Sequence, residues 1–125
     1  MKQSIEVLTI NGEEYVKKSS IETTSQAPSL DGKDYVLVRG DRSGVFVGYL
    51  DKEEGKEVVL LNARWIWYWS GAASLAQLSQ EGVKNPNDCK FPQEVPKVKI
   101  KDVIQIWPVT AKAKKSIDEV KVWKK

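Results

Sequence analysis

A chain of 125 residues, 41% hydrophobic and 30% charged, is long enough for one globular domain with a modest core and has the composition of an ordinary folded protein. It contains no histidine and a single cysteine, Cys89, which puts the usual zinc ligand sets, Ser-His-Asp and Cys-His catalysis, and an internal disulfide framework out of reach of one chain. Its net charge of +3 is dispersed, 20 basic residues among 17 acidic ones, without the basic stripe that tracks duplex nucleic acid.

These exclusions shape the expectation of a protein that is not an enzyme, with no catalytic residue, no metal and no cofactor. No apolar run approaches the ~20 residues of a membrane span, so no membrane partner is expected. MKQSIEVLTING has no apolar signal core and the one cysteine suits a reducing compartment, so the expected location is a cytoplasm.

The chain begins with SIEVLTINGEEYVKK (4–18), where Asn11-Gly12 between alternating segments predicts a hairpin with a type I′ turn. SSIETTSQAPSLDGK (19–33) is polar and reads as a helical turn and linker. Residues 1–33 are therefore expected to be a hairpin appendage with its linker, and residues 34–125 a single ligand-binding domain. That domain opens with β-branched DYVLVRG (34–40), turns at RGDRSG and continues as GVFVGYLDK (44–52). The Arg39-Gly40-Asp41 tripeptide in this turn needs no adhesive role. EVVLLNARWIWYW (57–69) follows as a long third strand, bent near Asn62-Ala63, which makes an antiparallel meander.

Ser74 and Gln77 match a capping box, predicting a helix over 74–82 that ends on Gly82. VKNPNDCKFPQEVP (83–96) is a loop, and VKIKDVIQIW (98–107) is a strand pair or one long strand, stopped at Pro108. Thr110 caps a second short helix, AKAKKSIDEV (111–120). The fold class is thus α+β: an antiparallel sheet with two short helices in the C-terminal half.

The segment with most chemical content is RWIWYWSGAASL (64–75). Period two sends Trp65, Trp67 and Trp69 one way and Arg64, Ile66 and Tyr68 the other, and neither face is polar. Such a strand serves as core, as an oligomer seam, or as a stacking platform for a base, and its own pattern does not choose among them. After it, Ser70-Gly71-Ala72-Ala73 leads into the helix capped by Ser74, where small residues let a ligand approach free backbone N–H groups. Arg64, Lys84 and Lys90 are candidates to complete an anion site there. Aromatic plates, a small-residue helix start and scattered cations without an acid–base set suit a protein that binds a nucleotide-like anion and leaves it intact.

YVLVRGDRSGVFVGYL (35–50), EGKEVVLLNARWIWYWSGAASLAQLSQEGV (54–83), CKFP (89–92) and KAKKSIDEVKVW (112–123) together resemble a group of small phage and prophage proteins, the first family of Thoeris anti-defence proteins. The resemblance covers residues 34–123, with ARxIWYWxGAxSL its most specific segment. It implies a sponge that sequesters cyclic ADP-ribose isomers made by bacterial TIR-domain proteins, acting in the host cell cytoplasm. It further implies cyclic di- or trinucleotides as a second ligand class and a homo-oligomer, dimer or hexamer. Carried over to this chain, Phe91 or Trp67 would stack the base, Arg64, Lys112 and Lys115 would meet the pyrophosphate, and Asn62 or Asn87 would bond ribose or base edges. Where many members of that group read ARRIW, this chain has Arg64-Trp65, which puts its ligand range in question. The alternative is a phage structural or interaction protein whose Trp-rich strand is only an oligomer interface. A single-stranded nucleic-acid binder is a third reading.

Overall fold

A computed structural model describes residues 25–124. The expected hairpin at 4–18 lies outside the described residues. Five strands run in the order of the chain: β1 (Tyr35–Gly40), β2 (Val45–Glu54), β3 (Glu57–Trp65), β4 (Val95–Ile100) and β5 (Val103–Pro108). Helix α1 (Leu75–Glu81) falls between β3 and β4, and α2 (Ala111–Asp118) follows β5. The sheet is antiparallel throughout, with strand order β4-β3-β2-β1-β5, so the α+β class read from the sequence holds.

That order has a geometric consequence. β4 and β5 are the two edges of the sheet, yet only Lys101 and Asp102 connect them. A flat five-stranded sheet is roughly 19 Å wide, and three Cα steps reach at most ~11 Å. The sheet must therefore roll up. The β2–β3 pair allows this through two register shifts, between Val47 and Tyr49, where the extra residue is in β3, and between Leu50 and Lys52, where it is in β2, each of which bends the strand that carries it. The first holds Asn62, with φ 50°, at the bend expected from the sequence. The rolled sheet brings the turns at both ends of β2 to the β4–β5 link: Val103 N–H donates to Lys56 O (3.0 Å) and Asp41 N–H to Asp102 O (2.8 Å).

β1 is buried on both faces because it separates two apolar layers. Val36 and Val38 turn inward to Val58, Leu60, Ala63, Ile100 and Val103, the filling of the roll. Tyr35 and Leu37 turn outward to meet Val47, Ile66, Leu78, Phe91, Ala113 and Ile117, so the helices cover the outer face. Both helices start where the caps predict. Ser74 Oγ accepts from Gln77 N–H (3.1 Å) while Gln77 Oε1 accepts from Ala73 N–H (2.7 Å), and Thr110 Oγ1 accepts from Ala113 N–H (3.1 Å). Gly82, at φ 80°, ends α1 where a Cβ would meet Ser116 Cβ at 2.4 Å, so glycine is what lets α1 reach α2.

The third strand departs from expectation. Regular pairing stops at Trp65, and 66–69 continue as an irregular extension held by Ile66 N–H to Val45 O (2.8 Å) and by the Tyr68–Lys90 bridge. The polar segment before β1 also docks on the domain: Ala27 is buried and donates to Val109 O (2.9 Å), and Ala111 N–H donates to Ser25 O (2.7 Å).

Candidate functional site

Period two survives along 64–67 and sorts the side chains into opposite fates. Arg64 and Ile66 enter the layer beneath the helices, and Trp65 and Trp67 face solvent. Trp69 lies past the end of the strand, escapes the alternation and packs on the helix-side core.

Arg64 corrects the expectation of an anion-binding arginine. It is 8% exposed, and its guanidinium donates Nε–H to Pro92 O (2.9 Å), Nη1–H to Ile117 O (3.0 Å) and Nη2–H to Phe91 O (3.3 Å) and Val120 O (2.8 Å). Four of its five N–H groups are thus committed to main-chain carbonyls, and the guanidinium lies over the Phe91 ring at 5.3 Å. Burial pulls its pKa down, opposed by Tyr35, Asp118 and Glu94. Phe91 is corrected with it: fully buried, its ring is core and offers no face to a ligand.

The small-residue run has a different cause from the expected ligand approach. Gly71 has φ 94°, and a Cβ there would stand 2.4 Å from Lys84 N and 2.7 Å from Asn85 N. The loop at 84–85 occupies that space, with Asn85 Nδ2–H donating to Ser70 Oγ (3.1 Å) and Ser70 N–H to the buried Cys89 Sγ (3.4 Å). Ser74 is occupied as the α1 cap. Asn87 is exposed on the short 3-10 turn Pro86–Asp88. Asn62 holds the bend of β3.

Lys112 and Lys115 do come together, with Lys84, around an open hollow of about 300 Å³ between the end of α1 and α2. Glu81 and Glu119 line the same hollow, and no salt bridge joins either to these lysines among the described residues. A second hollow, about 340 Å³, is lined by Tyr35, Arg64, Glu94, Lys114 and Asp118. There the Lys114 Nζ–Asp118 Oδ2 pair at 2.6 Å outweighs burial and raises the lysine pKa, while burial pushes the Tyr35 hydroxyl far up, so it stays protonated. Opposite charges balance in the second hollow, while the first sets three lysines against two glutamates.

The densest unsatisfied surface is aromatic. Trp67 is 47% exposed and Tyr68 52%. Trp67 stacks on Trp123 with ring centres 5.0 Å apart and planes at 11°, and meets Trp65 edge-on at 6.2 Å. Trp65 in turn stacks on Phe46 at 6.4 Å. Lys90 Nζ lies 5.5 Å from the Trp67 ring centre, 5.8 Å from Tyr68 and 5.7 Å from Trp123, and it has no salt-bridge partner among the described residues. Beside this row, Phe46, Ala63, Trp65, Pro92, Val95 and Val98 line an apolar hollow of about 230 Å³. Of the stacking candidates Trp67 is therefore the accessible one. The sequence reading did not single out Tyr68 and Trp123 as its neighbours; an isolated tryptophan in the lysine-rich tail was the available signal. No cluster of His, Cys, Asp and Glu among the described residues could hold a metal ion, and no helix there is long and apolar enough to cross a membrane.

Residues 33–117 match a family model described as Domain of unknown function (DUF6948). No curated protein and no solved structure matches the chain.

Proposed function

This chain belongs to the DUF6948 family, and from that premise we propose that it is a binding protein that sequesters a cyclic ADP-ribose-type nucleotide without degrading it. The observation that carries the reading is the Trp67–Tyr68–Trp123 cluster gathered about Lys90. A purine has a ring face for an exposed indole, and base–aromatic stacking contributes ~1–3 kcal/mol. Its phosphates carry the charge that the Lys90 ammonium attracts, which lies over these rings and has no salt-bridge partner among the described residues. The choice of a cyclic ADP-ribose isomer comes from the resemblance of 34–123 to Thoeris anti-defence proteins, and with it the anti-defence role in a phage-infected cell. The hollow at Arg64 is charge-balanced and favours an anion less than Lys90 does. The hollow at Lys84, Lys112 and Lys115 keeps an excess of positive charge but has no aromatic face for a base.

The test is titration calorimetry of the purified protein with cyclic ADP-ribose isomers, then recovery of the ligand after denaturation. Saturable binding with unchanged ligand is expected. Calorimetric silence across the isomers, or conversion of the ligand, removes the proposal.

One observation favours a second reading. The apolar hollow beside Trp65 continues the tryptophan row, which is the composition of a protein–protein contact, and an interaction protein with an oligomer seam would use the same face. A steady oligomer by light scattering that Trp65→Ser dissociates, with no nucleotide binding, would select it.

A further inference from the structure

We propose that the C-terminal tail is the second jaw of the nucleotide site, and that the base of the ligand inserts between Trp67 and Trp123. This rests on the binding function proposed above and specifies how the ligand is held. The chain leaves α2 and is pinned at Val120, whose carbonyl accepts from Arg64 Nη2–H (2.8 Å) and whose N–H donates to Ile117 O (3.1 Å). Beyond that point the attachments are few. Val122 is half exposed and makes one isolated bridge to Phe91, Trp123 N–H donates to Phe91 O (2.9 Å), and the Trp123 ring lies on Trp67. A fixed pivot followed by a short, lightly held arm ending in an aromatic plate is the construction of a clamp.

The distances permit insertion. Stacked rings sit ~3.5 Å apart, so admitting a third ring widens the gap to roughly 7 Å. The three residues after Val120 reach ~10 Å, enough for Trp123 to move that far without disturbing the pivot. Each indole then trades its contact with the other for contact with the purine, so two ring contacts replace one. Lys90 already borders both rings, and Lys121 and Lys124 lie exposed on the arm itself, so closing the jaw brings further positive charge toward the phosphates. Arg64 sets the closed geometry from beneath: the Phe91 carbonyl that accepts its Nη2–H also accepts from Trp123 N–H, and this second bond is the one the arm gives up on opening while the bond to Arg64 keeps the pivot.

The experiment is nuclear Overhauser spectroscopy of the full chain, free and saturated with cyclic ADP-ribose, alongside calorimetry of Trp123→Ala and Trp123→Phe. In the free protein the indole protons of Trp67 and Trp123 are expected to contact each other. In the complex, adenine protons should contact both indoles and the indole–indole contact should vanish. Trp123→Ala removes one purine contact but also the indole–indole contact that insertion must break, so its loss of affinity should fall below the roughly 5- to 150-fold worth of one stacked ring, and Trp123→Phe should recover it. Adenine contacts to Trp67 alone, with the indole pair intact, would overturn the clamp and leave the proposed function standing. Binding with no contact to either ring would overturn the clamp and the site together, and absence of binding would overturn the function itself.

Discussion

Residues 64 and 67 are three positions apart on one extended segment and lead opposite lives. Around Arg64 the chain has closed every account: a buried cation, a ring beneath it, and carbonyls from the 91–92 loop, from α2 and from the tail. Around Trp67 the Trp67 and Tyr68 rings are half exposed, and the Lys90 ammonium beside them has no salt-bridge carboxylate among the described residues. Arginine is the usual suspect for binding phosphate, and here the arginine holds the fold together while the tryptophan side is left available. Residue type therefore says less about a site than whether its donors and faces are already taken.

The largest effect should come from the closed side. Arg64→Ala leaves buried carbonyls without donors and opens a gap over Phe91, so we expect a loss of about 3–5 kcal/mol in urea denaturation. A loss under ~1 kcal/mol would mean that Arg64 is no keystone, and would break the comparison at its first term. Gly71→Ala comes next. A Cβ against Lys84 N, at a positive φ that alanine resists, should cost about 2–3 kcal/mol, read from the same denaturation curves. Unchanged stability there would return the small-residue run to the ligand.

What the sequence made legible was local. The first two strands, the bend at Asn62 and the caps at Ser74 and Thr110 depend on neighbours within a few positions and stand where their patterns put them, while the third strand ends at Trp65, short of its expected 57–69. The closed side was not legible because Arg64 finds its acceptors 27 to 56 residues away. Phe91 read as a ring available for stacking for the same reason, since only the fold shows the guanidinium lying over it. The Gly71 run signalled a close approach correctly, and the approaching group turned out to be the chain's own loop at 84–85. Rolling of the sheet was hidden until strand order was known, because a two-residue link constrains shape only when it joins opposite edges.

The open side should answer differently. Trp67→Ala removes surface that is already half in water, so its stability cost should stay within about 1–2 kcal/mol, well below the ~3–5 kcal/mol of a core tryptophan. Affinity for cyclic ADP-ribose should nonetheless fall about 5- to 150-fold by calorimetry. A melting loss as large as that of Arg64→Ala would show that Trp67 is core, and the contrast would disappear.

The smallest effect tests whether surface position alone marks an available group. Asp102 sits on the β4–β5 link, yet its carboxylate is fully engaged: Oδ1 accepts from Ser43 Oγ–H (2.6 Å), and Oδ2 accepts from the N–H groups of Arg42 (2.8 Å) and Ser43 (3.0 Å). The Ser43 hydroxyl, then the Arg42 amide, hold its pKa below the ordinary carboxylate value. A depressed folded-state pKa means the ionised form is favoured by folding. Its contribution is complete above the unfolded value of ~3.9 and drains away as pH falls through the lower folded value. Wild type should therefore melt above Asp102→Asn at neutral pH, with the gap closing in the acid range below about pH 4. A gap that is independent of pH would mean that shape, and not charge, holds this turn to the sheet's far edge.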